Sequence, residues 1–219
     1  MFRDTVLDIL FPPTCVVCEE DGAWLCESCR SHIFLETHGV EKTEQEPWPF
    51  CSVITVGSYA NPRLRLPLTQ LKYHAASCLE QDLKALLRVF RQNFLDPWPW
   101  AGLSEMLITS IPGDRRRMRE RGMDHGTLLA HWVRDILVPW AEPRALLRRT
   151  RSTMPNARLP ANAIRAANLF GAFEATEKIT VPVMIVDDVL TTGATASEAA
   201  RTLIAAGAPE VHLFVFAKG

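Results

Sequence analysis

The residues best suited to chemistry lie in segment 183–195, which reads VMIVDDVLTTGAT. Its four leading apolar residues predict a buried parallel strand, and the residues from Ala194 onward predict an amphipathic helix. Two adjacent carboxylates, Asp187 and Asp188, follow the apolar residues and precede a turn of threonine and glycine. Phosphate groups bind to backbone N–H groups at a helix start, and ligands of parallel sheets lie at the carboxyl ends of the strands. The segment therefore predicts a binding site for a phosphorylated sugar.

Each part of this segment has an expected role. The backbone of the turn wraps a 5′-phosphate at the positive end of the helix, where threonine hydroxyl groups are additional donors. Asp187 and Asp188 accept hydrogen bonds from the 2′- and 3′-hydroxyl groups of a ribose. The alternative, a buried strand followed by an Asp-capped helix, requires neither the second carboxylate nor the order of the turn residues. The expected phosphate-binding residues are Thr191, Thr192, Gly193, Ala194 and Thr195.

Four cysteines near the N-terminus have the spacing of a metal site. They form two Cys-x-x-Cys pairs separated by seven residues: Cys15, Cys18, Cys26 and Cys29. Tetrahedral zinc takes four thiolate ligands, and four thiolates leave no position for a catalytic water, so we expect a structural zinc site. Two disulfides or a redox motif are the alternative. Cys51 and Cys78 have no such partner and are expected to be ordinary half-buried cysteines.

We expect the protein to be cytoplasmic and to keep its cysteines reduced. Residues 1–11 carry one arginine and two aspartates among scattered apolar residues, unlike a signal peptide. No apolar run approaches the length of about 18 residues that a membrane span needs. Thiols stay reduced in the cytosol and bind metal there, which favours zinc over disulfides.

The chain has the composition of a globular protein, with 47% hydrophobic and 22% charged residues. Its 219 residues suffice for one core and a small appendage. Strands alternate with helices after residue 51, which predicts an α/β fold with a parallel sheet. The acidic stretch from His38 to Pro49 has the composition of a linker. We therefore predict a zinc-binding module with its linker in residues 1–50 and one α/β domain in residues 51–219.

Hydrophobic periodicity gives the expected elements of that domain. A long helical pattern spans residues 62–94, with interruptions near Pro67 and Ala75. The other expected elements are strands at 52–59, 106–111, 146–149, 181–186 and 211–216, helices at 126–137 and 197–206, and an exposed loop at 151–163.

Charge is distributed unevenly along the chain. Residues 1–50 carry ten acidic and three basic residues, whereas residues 114–165 contain twelve arginines and five acidic residues. A basic segment beside a phosphate site indicates an anionic ligand larger than one phosphate, and the arginine fork suits pyrophosphate. Because the five arginines of segment 115–121 cannot all reach one pyrophosphate, the others are expected to be solvated or to bind something else. The candidate pyrophosphate and loop residues are Arg115, Arg116, Arg121, Arg165 and Asn168.

These motifs resemble the ComF family, including GntX-like proteins, over nearly the whole chain. That family joins an N-terminal cysteine zinc module to a domain with the type I phosphoribosyltransferase fold, which has a parallel, Rossmann-like sheet. Segment 187–195 matches, position for position, the signature with which that fold binds phosphoribosyl pyrophosphate (PRPP). Further matches to the family are Lys72-Tyr73, Arg121-Gly122 and Arg165-x-x-Asn168.

The chain departs from the family pattern at three places. Met-Asp-His at 123–125 replaces Phe-Asn-Gln, Asn156 takes the place of a glutamine of the mobile loop, and Cys51 is all that remains of a second cysteine pair. The last departure indicates a single zinc. In addition, Thr191 occupies the position at which hypoxanthine-type enzymes have an aspartate near the purine N7, so we do not expect a 6-oxopurine substrate.

The resemblance implies a role in DNA uptake or DNA utilisation, with PRPP and Mg²⁺ as ligands and zinc as a structural ion. It also implies phosphoribosyl transfer to an unidentified acceptor as the enzymatic activity to test. The alternative is a non-catalytic module that senses PRPP and binds single-stranded DNA or a DNA-uptake helicase. Few aromatic residues lie among the arginines of 114–165, so any DNA contact is expected to be with phosphates. Homo-oligomer formation is left open, and no membrane insertion is expected.

Overall fold

The computed structural model describes residues 12–33, 39–42, 48–71, 76–94, 100, 102–114, 124–151 and 168–219. Within these residues, a six-stranded sheet forms the centre of the protein. In spatial order its strands are β1 (Gly39–Lys42), β2 (Ser52–Ser58), β8 (Val211–Lys218), β7 (Val183–Leu190), β3 (Leu107–Ser110) and β4 (Glu142–Pro143). The edge strand β1 is antiparallel to β2, and the other neighbouring strands are parallel. The predicted fold class, α/β with a parallel sheet, is confirmed.

The two central strands, β7 and β8, are near-continuous apolar runs because both of their faces are covered. Met184 and Val186 of β7 pack with Phe214 and Phe216 of β8 in a first core cluster. The intervening residues of the two strands belong to a second core cluster: Val183, Ile185, Leu213 and Val215. The sheet is therefore the middle layer of three, and along residues 183–186 and 213–216 successive side chains point to opposite faces.

The cysteine module, which contains the short helix α1 (Glu27–Ser31), belongs to the core cluster on the first face of the sheet, and three longer helices cover that face. These are α2 (Pro62–Leu71), α3 (Ala76–Phe94) and α4 (His125–Ile136). Cys15, Leu25 and Ile33 of the module belong to the same core cluster as the buried residues of these helices. Arg30 of α1 lies 3.8 Å from the carboxylate of Asp82 on α3. The cysteine module is thus packed directly against the α/β domain.

The second face is covered by α5 (Ala194–Ala205) and by a β-hairpin. The hairpin consists of the antiparallel strands β5 (Leu147–Arg149) and β6 (Phe173–Ala175). Segment 152–167, which contains nearly all of the expected exposed loop, lies between them and outside the described residues. None of the described helices, α5 included, is long and apolar enough to cross a membrane.

The short strands β4 and β6 correspond to no expected element, and the structure differs from the expected elements at three further places. Residues 39–42 of the expected linker form β1. Pro67 lies within α2 and does not interrupt it. A proline cannot donate one backbone hydrogen bond of the helix, and the burial of its ring in the core offsets that loss. The expected break near Ala75 falls on residues 72–75, which lie outside the described residues. Both central strands are longer than expected, since β7 continues to Leu190 and β8 to Lys218.

Candidate functional site

The turn between β7 and α5 forms a small cavity. Its volume is about 40 Å³, and it is lined by Asp187 and by all residues from Val189 to Ala196. The structure therefore brings the predicted phosphate-binding residues 191–195 together with one of the two predicted carboxylates. Asp188, the other carboxylate, occupies the next position of β7 and is half-buried.

The start of α5 is suited to an anion. Gly193 is the N-cap residue and has a φ of 71°, in the left-handed region that favours glycine. It has no side chain with which to cap the helix, and the first turn of α5 contains no acidic residue. The first N–H groups of a helix have no partner within the helix and carry the positive end of its dipole. An anion in the cavity is the partner that this arrangement fits.

Asp187 and Asp188 lie near the carboxyl end of β7. The N–H of Asp188 donates to Oδ1 of Asp187 at 2.9 Å, and the N–H of Val189 donates to Oδ1 of Asp188 at 2.8 Å. Asp187 lines the cavity at α5, whereas Asp188 does not. A ligand that contacts both carboxylates must therefore extend beyond this cavity.

The second predicted strand-to-helix turn lies at the same edge of the sheet. Ser110 at the end of β3 pairs with Val186 of β7, and the two strands run in the same direction. The residues that follow Ser110 therefore start beside Asp187. Four of the pyrophosphate and loop candidates, Arg115, Arg116, Arg121 and Arg165, lie outside the described residues.

The helix at this second turn, α4, is capped by the protein itself. Asp124 accepts hydrogen bonds from the N–H of Gly126 at 3.1 Å and from Oγ1 of Thr127 at 2.8 Å. A carboxylate therefore occupies the start of α4, where it repels a second anion. Gly193, by contrast, places no capping side chain at the start of α5. This difference favours α5 over α4 as the position of an anion.

The β5–β6 hairpin is tied to both turns. Nε of Arg149 donates to the carbonyl oxygen of Pro112, after β3, at 3.2 Å. On the other side, the N–H of Gly171 donates to Oε1 of Glu198 on α5 at 2.7 Å. Glu198 lies on the second turn of α5 and is only 7% exposed. The two turns and the hairpin are thereby held in a fixed arrangement.

The remaining predicted loop residue, Asn168, lies at the base of segment 152–167. Nη2 of Arg151 donates to the carbonyl oxygen of Asn168 at 2.9 Å and to that of Phe170 at 2.7 Å. These bonds hold the two ends of the segment together. The family motif residues Lys72, Tyr73 and Asn156 lie outside the described residues.

The four predicted zinc ligands lie close together. The sulfur atoms of Cys15, Cys18, Cys26 and Cys29 are all within 4.8 Å of one another. Sγ of Cys18 and Sγ of Cys26 are 3.6 Å apart, near the value of about 3.8 Å that a tetrahedron with Zn–S bonds of about 2.3 Å requires. In a disulfide the two sulfur atoms would be about 2.05 Å apart. The donor set and its spacing fit structural zinc, as predicted.

The thiols of this cluster ionise unequally. Burial raises the pKa of Cys15, but hydrogen bonds from the backbone of Cys26, Cys18 and Val17 outweigh it and lower the pKa to about 6. The pKa of Cys29 is raised, first by burial and then by the neighbouring sulfur atoms. Zinc ligands are thiolates, so binding of the metal displaces the proton of Cys29, and zinc affinity falls at low pH.

A comparison with family models agrees with this cluster. Residues 6–39 match the model of the double zinc ribbon domain. The chain has six cysteines, so Cys51 and Cys78 are too few for a second four-cysteine set. Cys78 is half-buried, as expected, whereas Cys51 is exposed, which corrects the expectation for that residue; neither forms a disulfide.

Two relatives have the name DNA utilization protein YhgH. The protein of Escherichia coli O157:H7 is 34% identical over 176 residues, and that of Salmonella typhimurium strain LT2 is 33% identical over 180 residues. Each comparison covers 78% of this chain and 73% of the relative. The chain belongs to the ComF family. The resemblance that its motifs indicated is confirmed at the level of the family.

One polar cluster of this ComF-family protein lies away from the site. Oγ of Ser52 and Nδ1 of His212 are 2.9 Å apart, and Nε2 of His212 is 3.3 Å from the carboxylate of Glu210. Burial lowers the pKa of His212, and Glu210 opposes that shift. Ser52 and His212 are 7% and 6% exposed and lie at the amino ends of β2 and β8, opposite the cavity. The cluster joins two strands and has no access to a ligand at α5.

Sequence reasoning missed three residues around the site: Trp48, Glu198 and Lys218. Trp48 lies in a Pro-Trp-Pro sequence, and an aromatic residue held between two prolines is unusual for a linker. Glu198 interrupts a run of small and apolar positions on α5. Lys218 gave no local signal, because only the pairing of β8 with β7 brings it to the turn.

Proposed function

We propose that this ComF-family protein binds PRPP together with Mg²⁺ and takes part in DNA uptake or DNA utilisation. One observation carries the proposal: Asp187 and residues 191–195 line one cavity at the glycine-capped start of α5. The name of the relatives, DNA utilization protein, supports the cellular role. Reduced, metal-binding cysteines support a cytoplasmic location.

The proposed binding roles use the residues at the two turns. The 5′-phosphate accepts hydrogen bonds from the N–H groups of residues 192–195 and from the threonine hydroxyl groups of the turn. Asp187 and Asp188 accept hydrogen bonds from the ribose hydroxyl groups at the end of β7. The pyrophosphate extends toward the turn after β3, where the family motif supplies Arg121, and further candidates are Arg115, Arg116, Arg165 and Asn168.

Phosphoribosyl transfer would break the bond between C1′ and pyrophosphate and form a bond between C1′ and an acceptor amine. The centre is oxocarbenium-like at the transition state, as in glycoside hydrolysis. The protein therefore contributes mainly by holding the ribose and the phosphate in the reactive orientation. Mg²⁺, when bound, neutralises the charge that develops on the leaving pyrophosphate, and carboxylates such as Asp187 and Asp188 are the oxygen ligands it prefers.

A non-catalytic PRPP-binding module is the second candidate. Asp124 at the start of α4 favours it, because a carboxylate near the expected pyrophosphate position destabilises the charge of the leaving group. Release of pyrophosphate from PRPP, measured with and without candidate acceptors including DNA, distinguishes a transferase from a non-catalytic module. Turnover supports the transferase, and tight PRPP binding without turnover supports the module. A protein that does not bind PRPP contradicts both.

Weak, sequence-independent binding of single-stranded DNA is expected if the arginine cluster contacts phosphates. Affinity should then fall with salt, with a logarithmic slope of roughly 0.7 for each phosphate neutralised. Replacing Arg115, Arg116, Arg117 and Arg119 by alanine should flatten that slope. Fluorescence anisotropy at two salt concentrations measures it.

The matched control replaces the exposed arginines Arg65 and Arg88, which lie on α2 and α3 outside the cluster. This control variant should keep the wild-type slope. If the arginines serve pyrophosphate only, the quadruple variant weakens PRPP binding and leaves DNA binding unchanged. If the wild-type protein does not bind single-stranded DNA even at low salt, direct DNA contact is not part of its function.

A further inference from the structure

We propose that Lys218 binds the 5′-phosphate held by the turn 191–195. Trp48 is the positioning residue for both Lys218 and the turn. The proposal rests on the proposed function, since it assumes a phosphorylated ligand in the turn. Neither residue belongs to a motif that the sequence shares with the family. Trp48 lies in the stretch expected to be a linker, and Lys218 lies beyond the expected end of the last strand.

The register of the sheet brings Lys218 to the turn. Lys218 pairs with Leu190, the last residue of β7. The N–H of Gly219 donates to the carbonyl oxygen of Leu190 at 2.9 Å, and the N–H of Tyr59 donates to that of Lys218 at 2.8 Å. A Cβ atom placed on Gly219 would lie 3.9 Å from Cγ2 of Thr191. The end of β8 therefore lies beside the first residue of the turn, and its backbone is hydrogen-bonded on both sides.

The indole of Trp48 connects Lys218 to the turn. Nζ of Lys218 lies 5.4 Å from the centroid of the Trp48 ring. A Cβ atom placed on Gly193 would lie only 2.9 Å from Nε1 of the same indole. Trp48 is itself held by Phe50, whose ring meets it edge-on with a centroid distance of 6.4 Å. The same rigid side chain thus lies beside both the ammonium group of Lys218 and the backbone of Gly193.

The turn needs a positive charge that its own residues do not supply. Segment 187–195 contains two carboxylates and no basic residue. A phosphate dianion beside two carboxylates is repelled unless cations compensate it. The ammonium group of a lysine, on its flexible stem, is suited to a terminal phosphate. Attraction to the face of Trp48 keeps that group at this edge of the sheet before the ligand binds.

Calorimetric titrations with ribose 5-phosphate, PRPP and inorganic pyrophosphate, all with Mg²⁺, test this proposal. We expect Lys218→Gln to weaken the binding of ribose 5-phosphate and of PRPP by the same factor, about tenfold, because both carry the 5′-phosphate. The affinity for pyrophosphate should stay unchanged. Lys218→Arg keeps the charge and should remain within about threefold of the wild type.

The matched control is Lys178→Gln. Lys178 is exposed and precedes β7, so this variant loses the same charge at the opposite end of the strands. It should bind all three ligands like the wild type. If Lys218→Gln binds ribose 5-phosphate as the wild type does, the role of Lys218 is overturned and the proposed function stands. If the wild type binds neither ribose 5-phosphate nor PRPP, both are overturned.

Two variants of Trp48 test the positioning role. Trp48→Phe keeps a ring face for the ammonium group and should retain most of the affinity, whereas Trp48→Leu should weaken ribose 5-phosphate binding as much as Lys218→Gln does. Combining Trp48→Leu with Lys218→Gln should cause no further loss, because both act through one contact. A merely structural role predicts instead that Trp48→Leu also weakens pyrophosphate binding and that the two losses add. If Trp48→Leu does not fold, the Lys218 titrations still decide the main claim.

Discussion

Replacing both Asp187 and Asp188 by asparagine is expected to weaken PRPP binding by about 100-fold or more, since each hydrogen bond to a charged group contributes about 1.5–3 kcal/mol. The substitution removes the two negative charges that we propose bind the ribose hydroxyl groups and Mg²⁺, and it keeps the shape of both side chains. The fold should persist, because an asparagine Oδ1 can accept the same bonds from the N–H groups of residue 188 and Val189.

Calorimetry with PRPP and Mg²⁺ measures this loss, and circular dichroism checks that the double variant is folded. The control is Asp135→Asn, which removes an exposed carboxylate that pairs with Arg134 on α4, away from the cavity. That control should bind PRPP as the wild type does. A folded double variant whose affinity stays within about twofold of the wild type, or about 0.4 kcal/mol, would rule out the ribose-binding role of both carboxylates.

The parts of the site that were predictable are those encoded in continuous sequence. An apolar strand, two carboxylates, a turn and a helix follow one another in segment 183–195, so their local structure determines the cavity. The two cysteine pairs are also encoded locally. A short turn separates Cys15 from Cys18, and one helical turn separates Cys26 from Cys29. The parallel sheet followed from the alternation of strands and helices.

What escaped prediction depends on pairing between distant segments. Trp48, Gly193 and Lys218 are far apart in sequence and meet because β8 pairs with β7 and the chain before β2 crosses the start of α5. The short strands β1 and β4 contain charged or proline residues and lack the apolar runs of the central strands. Edge strands are paired on one side only, so they need no apolar run to remain in the sheet.

The cysteine module illustrates a second limit. Its acidic composition and spacing predict an appendage, whereas its apolar residues are too few for a core of their own. In the structure Cys15, Leu25, Cys29 and Ile33 join the core cluster that covers the first face of the sheet. Zinc should therefore stabilise the α/β domain as well as the module that binds it.

We expect the double substitution Cys15→Ser, Cys29→Ser to abolish zinc binding and to destabilise the whole protein by several kcal/mol. Structural zinc contributes about 10–16 kcal/mol to the folding of small zinc-binding peptides, and part of that free energy is lost with two ligands. Both substituted side chains are buried, at 1% and 6% exposure, and the loosened module uncovers apolar residues of α3. Catalysis is not involved, since four thiolates leave no open position on the metal.

Metal analysis and calorimetric melting of the purified protein test this expectation, with one zinc per wild-type chain. The control is Cys51→Ser, Cys78→Ser, which removes two thiols outside the cluster and should retain full zinc. Full zinc stoichiometry in the Cys15, Cys29 variant would show that other residues are the ligands. Loss of zinc with an unchanged melting temperature would show instead that the module is energetically independent, and that the shared core between α3 and the cysteines contributes little to stability.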